Sequence, residues 1–251
     1  VSKRTYSEVK HDDKFHESLT KFWGKIEPYM LHVGFAAGGV ILLAVIWIMV
    51  STSGSASQDK PWAKHFAIMK QTDVEPEKLL EDYAALAEEY DGQPVAAMTQ
   101  IELAQGYFGI GSGKSQAPPF GDEKEADAAK RKEEAKQAFQ KAAAAAEKVV
   151  ADYSDYSLVE LAAFEAGKAR FALEEYDTAL PQFERAAASK VLYLSALAQW
   201  HAARCHQTLG NIEAARLAYE RVKDNQHAGF LRAQAEFDLA RLGEQPTAQS
   251  K

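Results

Sequence analysis

The chain repeats itself at a fixed interval. Tyr176-x-x-Ala179-x-x-x-Phe183-x-x-Ala186 matches Ile212-x-x-Ala215-x-x-x-Tyr219-x-x-Val222, every pair 36 residues apart. Ala135-x-x-x-Phe139-x-x-Ala142 carries the same core. Spacings of three and four put these residues on one helix face. The small residues let two helices approach, and the aromatic ring fills the space beside them. A helix pair of this size cannot bury its apolar face alone, so it must stack on its neighbours. The expected fold is all-α, with helix pairs stacked into an α-solenoid. No strand-like alternation with hairpin turns interrupts the helical pattern after residue 58.

The second-helix pattern resembles a tetratricopeptide repeat: alanine, an aromatic residue four on, alanine three further. The nominal period of that family is about 34 residues, so these turns are slightly longer. In the first helices, Gly167 stands where the family prefers a small residue. Ala203 is its equivalent one repeat later, and Ala104 one repeat earlier. Gly210 marks the turn inside a pair, and Glu174 takes that place one repeat earlier. The expected helix pairs cover 59–90, 95–150, 157–189 and 193–224, with a final helix over 228–242. Tyr90-Asp-Gly-Gln-Pro94 and Tyr153-Ser-Asp-Tyr-Ser157 are the turns between pairs. The resemblance also implies a partner-binding groove lined by first-helix positions. Carried onto this chain, these are Ile101, Phe164 and Trp200 in one row. Gln105, Lys168 and Arg204 follow four residues on. Such an aromatic row beside a basic row would hold an extended or helical peptide with apolar and acidic groups. The alternative is that Phe164 and Trp200 pack within their own stack.

A second feature lies upstream. From Pro28 to Gln58 there is no Asp, Glu, Lys or Arg, and Tyr29 to Val50 is continuously apolar or small apart from His32. That run of roughly 33 Å as a helix matches the bilayer hydrocarbon core of about 30 Å. Trp23, Tyr29, Trp47 and Trp62 stand near the two expected interfaces. The run is longer than the apolar stretch of a signal peptide, so residues 29–50 are expected to be an uncleaved transmembrane helix. Lys10, Lys14, Lys21 and Lys25 precede it, whereas only Lys60 and Lys64 follow closely. This bias favours the N-terminus inside and the large domain outside, which in a bacterium means the periplasm. Gly34 and Gly38 share one face of the span. They either admit a partner transmembrane helix or are incidental glycines.

Residues 1–28 form an expected cytosolic tail. Within it Phe15, Leu19, Phe22, Trp23 and Ile26 share a helix face, lying on the membrane, contacting a cytoplasmic partner or simply extending the anchor helix. Residues 51–58, STSGSASQ, are a flexible linker by composition. The repeat region is assigned to 59–243, and 244–251 to a disordered tail. The net charge is −7, and residues 51–251 alone carry 23 basic and 31 acidic side chains. An acidic body argues against binding a phosphate backbone, so no nucleic-acid partner is expected.

Three motifs invite sharper chemistry. Residues 109–122, GIGSGKSQAPPFGD, are expected as a Gly/Pro-rich loop within one helix pair. Gly113-Lys114-Ser115 lacks the first glycine of a phosphate-binding loop, because position 108 is Phe. His201 and Cys205 have a chelating spacing, but His206 points about 100° away from Cys205 and no third ligand is evident. Cys205, the single cysteine, is expected as a buried apolar residue. No nucleophile elbow or His-Glu-x-x-His sequence occurs. The expectation is a protein without catalytic residues, cofactor, metal or small-molecule substrate.

The order of these parts resembles a known family. A short cytosolic tail, one span and an extracytoplasmic tetratricopeptide-like domain are similar to the ancillary SecYEG translocon subunit (YfgM-like) family. Lys21-Phe22-Trp23 resembles its basic-aromatic stretch before the span. Leu86-Ala87-Glu88-Glu89-Tyr90, Ala96-Ala97 and Ile101-Glu102-Leu103-Ala104-Gln105 are similar to its first repeat junction. The resemblance implies a membrane-bound assembly factor beside the Sec translocon. Its implied partners are SecYEG and a periplasmic peptidyl-prolyl isomerase, and it would hand exported chains to folding factors. The insertion at 109–122 and the long N-terminal tail depart from the family form. A scaffold or accessory subunit of another envelope complex, in cell division or respiratory assembly, is the alternative.

Overall fold

The computed structural model describes residues 59–116 and 125–244. The expected cytosolic tail, the 29–50 span with Gly34 and Gly38, the linker and residues 245–251 lie outside the described residues. Within them the fold is all-α, with nine helices and no strand. The helices are α1 (Asp59–Met69), α2 (Pro76–Glu89), α3 (Pro94–Gln116), α4 (Glu125–Asp152), α5 (Val159–Ala172), α6 (Tyr176–Ala187), α7 (Leu192–Thr208), α8 (Ile212–Asp224) and α9 (Leu231–Glu244). Among the described residues no helix is long and apolar enough to cross a membrane.

From α2 onward each helix packs on the next in sequence, and α3, α5, α7 and α9 also touch in series. The result is a repeat-like, two-layered array with α3, α5, α7 and α9 in one layer. The repeated triads fill the space between layers. Ala179, Phe183 and Ala186 of α6 are fully buried, and so are Ala215, Tyr219 and Val222 of α8. Ala135, Phe139 and Ala142 of α4 are buried in the same way.

The turns within the α5–α6 and α7–α8 pairs are built alike. In the first, the Glu175 N–H donates to the Arg170 carbonyl at 3.0 Å and the Glu174 N–H to Phe171 at 3.0 Å. In the second, Asn211 donates to His206 at 2.8 Å and Gly210 to Gln207 at 3.1 Å. These are the paired bonds that close a helix end around a left-handed residue. That residue is Gly210, φ 77°, in one turn and Glu174, φ 63°, in the other. Glycine takes this conformation freely, whereas a Cβ there costs about 1–2 kcal/mol.

The turns between pairs are also tied to one another. The Tyr153 hydroxyl donates to Asp91 Oδ1 at 2.9 Å and accepts the Gly92 N–H at 2.9 Å. Lys148 Nζ stands 3.3 Å from the same Asp91 oxygen. This clasp joins the α2–α3 turn to the α4–α5 turn.

Two expectations need correction. Residues 109–116 are helical and close α3, so the loop expected at 109–122 does not begin at 109. The reason is packing against α4. A Cβ on Gly111 would come within 2.7 Å of the Phe139 ring, so the glycine permits close approach where propensity alone favours a break. Arg131 Nη1 then donates to the Lys114 carbonyl at 2.9 Å and holds the helix end. The second correction follows from the first. A Cβ on Gly167 would meet the Phe183 ring at 2.8 Å, so Gly111 faces its aromatic as Gly167 does. Gly111, not Ala104, is therefore the equivalent small residue. Ala104 packs instead with Leu80, Tyr83 and Ala146.

Candidate functional site

The seven-residue shift changes which side chain of α3 joins the row. Ile101 is fully buried (0% exposed), packed with Ala97, Val149 and Ala162, so it cannot line a groove. Phe108 stands three residues before Gly111, as Phe164 stands three before Gly167. Its ring lies 5.4 Å from Phe139, as that of Phe164 lies 5.8 Å from Phe183. The spacing from the small residue to the second-helix aromatic was the available signal. It is 16 residues in the later pairs but 28 in this one, because α3 and α4 are longer.

Phe108, Phe164 and Trp200 belong to one chain of contacts running across α3, α5 and α7. Lys168 Nζ sits 4.4 Å from the Phe108 ring centroid and 5.6 Å from that of Phe164. The Arg204 guanidinium lies 4.6 Å from Phe171 and 4.8 Å from Trp200. Between these cations is His201. It stacks on Phe183 at 4.8 Å and meets Phe164 and Trp200 edge-on at 5.5 and 4.9 Å. Burial, followed by the charges of Arg204 and Lys168, pushes its pKa down to about 3, so the imidazole is neutral at physiological pH. The row ends at α9, where Trp200 Nε1 donates to Asp238 Oδ2 at 2.9 Å.

The predicted groove residues are thus partly brought together. Phe164 is buried (6% exposed) and serves mainly as core, whereas Lys168, Trp200 and Arg204 are partly exposed. Gln105 is partly buried at the α3 end, where its Nε2 donates to Glu165 Oε1 at 3.2 Å. Phe108, Phe171, His201 and Asp238 are the members that spacing alone did not select.

The two ends of the row differ in charge. Glu165 is buried (5% exposed) and holds Lys168 Nζ at 2.7 Å as well as Gln105. Nearby Glu102 keeps Oε1 buried, with no hydrogen-bond partner among the described residues. Burial, and then the Glu165 charge, raise its pKa to about 7. At the α7 end stand the Arg204 guanidinium and, bound to Trp200, the Asp238 carboxylate.

His201 and Cys205 do not approach metal-site geometry. Among the described residues no group of three potential ligands gathers. Cys205 is fully buried, and burial pushes its thiol up to about 12. It is an apolar wall beside Phe183 and Ala202. Lys114 and Ser115 lie in the last turn of α3. Lys114 forms an ion pair with Glu134 of α4, which leaves no phosphate cradle there.

No family model matches this chain, and no curated protein matches it either.

Proposed function

We propose that this chain is a membrane-anchored, non-catalytic protein-interaction module whose repeat region is a tetratricopeptide-like α-solenoid. The observation that carries the reading is the row of Phe108, Lys168, His201, Arg204 and Trp200. A continuous strip of rings and cations along one layer of helices suits a peptide segment better than a small substrate. Aromatic and arginine side chains are the usual anchors of protein interfaces. The chemistry of the strip agrees with binding, because its one histidine is neutral and enclosed by rings.

The resemblance to ancillary SecYEG translocon subunits gives this module a place. Residues 29–50 would anchor it in the bacterial inner membrane, with residues 1–28 cytoplasmic and the repeat region periplasmic. Gly34 and Gly38 would dock the span against another helix. SecYEG and a periplasmic peptidyl-prolyl isomerase are the proposed partners, and exported chains the proposed clients. The test is gentle detergent purification of the tagged full chain, followed by mass spectrometry of what accompanies it. Translocon subunits with an isomerase support this role. A different stoichiometric complex makes the protein a scaffold of another envelope assembly.

A further inference from the structure

Basic side chains in the α3, α5 and α7 layer are few: Lys114, Lys168, Arg170 and Arg204. Lys114 pairs with Glu134, and Lys168 with Glu165. Arg170 binds Glu147 through two nitrogens, each at 2.7 Å, and Glu175 through the third at 2.6 Å. Arg204 is different. Among the described residues no carboxylate lies within ion-pair distance of it. It is partly buried, and its neighbours are the Trp200 and Phe171 rings.

We propose that Arg204 is the reading head of this surface: the partner is an acidic peptide segment that seats one carboxylate on the guanidinium and an apolar side chain beside Trp200. This rests on the peptide-binding reading given above. Three physical points carry it. Ring faces satisfy the flat sides of a guanidinium but not its N–H groups, which lie in its plane and match a carboxylate fork. Trp200 is fixed by its bond to Asp238, so one of the two flanking rings is held before a ligand arrives. The charge count then selects the anion. Lys168 is already neutralised by Glu165, which leaves Arg204 as the cation of the α3, α5 and α7 stretch without an ion pair among the described residues, while the Asp238 carboxylate at the far end of the row is held by Trp200 and Gln234. One cation suits a singly charged carboxylate better than a doubly charged phosphate. Glu102 and Glu165 at the α3 end also disfavour a polyanion.

The experiment is selection of 12-residue peptides from a random display library on the full chain in mild detergent. Wild type, Arg204→Lys, Arg204→Gln and Lys78→Gln, an exposed lysine of α2 outside the row, are compared, each checked for unchanged helical signal. Wild-type selection is expected to enrich Asp or Glu beside an apolar residue. Arg204→Lys keeps the charge but loses the fork, so affinity for the best peptide should fall about tenfold. Arg204→Gln should abolish the acidic enrichment, and Lys78→Gln should retain it. Replacing the acid of the best peptide by its amide should reproduce the Arg204→Gln loss. Peptides enriched without an acidic residue, or acidic enrichment that survives Arg204→Gln, overturn the carboxylate assignment while leaving the groove standing. If no peptide is selected at all, the peptide-binding reading fails, and this proposal with it.

Discussion

The α5–α6 and α7–α8 pairs have one backbone design and two surfaces. Their second helices bury matching triads, and their turns close with the same hydrogen bonds. Facing the row, however, equivalent positions diverge. Glu165, an ion-paired carboxylate, corresponds to His201, a neutral imidazole among rings. Lys168 is paired, and among the described residues Arg204 is not. The comparison separates two duties. The face between layers must be shaped alike for repeats to stack, whereas the outer row of the first helices is free to carry different charges. Differences at that row are where a function can be written without disturbing the fold.

Breaking the shared face should have the largest effect. Phe183→Ala removes a fully buried ring and should cost about 3–5 kcal/mol, read from urea denaturation followed by circular dichroism. Tyr219→Phe keeps the ring and removes only the hydroxyl's 3.0 Å bond to Gln207. It should cost about 1 kcal/mol. Equal losses would mean that burying the Phe183 ring contributes no more than a single hydroxyl bond.

The small residue opposite each ring sharpens the point. Gly167→Ala places a Cβ about 2.8 Å from Phe183 and should destabilise by about 1–3 kcal/mol, although alanine is the better helix former. A gain in melting temperature would mean that Phe183 yields easily. The α7–α8 pair already carries alanine, at Ala203, opposite its ring.

The third contrast is in pH dependence. His201 has a depressed pKa, so its contribution to stability is complete above the unfolded value of about 6.5. It is lost as the pH falls below that, at about 1.4 kcal/mol per unit, until about pH 3. His65, buried beside Tyr83 and lowered to about 4, adds a slope of the same sign. Glu102 acts in the opposite direction, since a raised acid favours folding below about 4.5 and loses that advantage as the pH rises to about 7. The His65 and Glu102 slopes oppose each other, so His201→Phe should nearly abolish the decline in melting temperature between pH 7.5 and 5.5. An unchanged slope would mean that His201 is not the titrating group.

The smallest expected effect is a gain. Glu174→Gly relieves a left-handed non-glycine residue and should stabilise by about 1 kcal/mol, making this turn match that of Gly210. No gain would mean that Glu174 is compensated elsewhere.

Much of the fold was legible because it is local. The 3.6-residue periodicity located the helices, and the turns at 90–94 and 153–157 fall where Gly and Pro or polar clusters mark them. The site was only half legible. Trp200, Arg204 and Lys168, selected by their equivalent positions in the repeats, are partly exposed members of the first-helix layer. Ile101 was chosen by aligning Ala104 with Gly167, and the long α3–α4 pair broke that register. Glycine content likewise suggested a loop at 109–116 where a helix continues, because a contact from α4 outweighs the low helix propensity of Gly111.

The sequence by itself determined the all-helical class, the 36-residue spacing of buried triads and the acidic balance of the repeat region. These depend on intervals along the chain and on simple counts. Only the tertiary structure decided that Phe108 enters the row, that Lys168 is silenced by Glu165 and that Arg204 is left without an ion pair among the described residues. Those outcomes depend on neighbours across helices, such as Gln105 and Glu165, 60 residues apart. No spacing within a single helix reports whether a charge has met its partner.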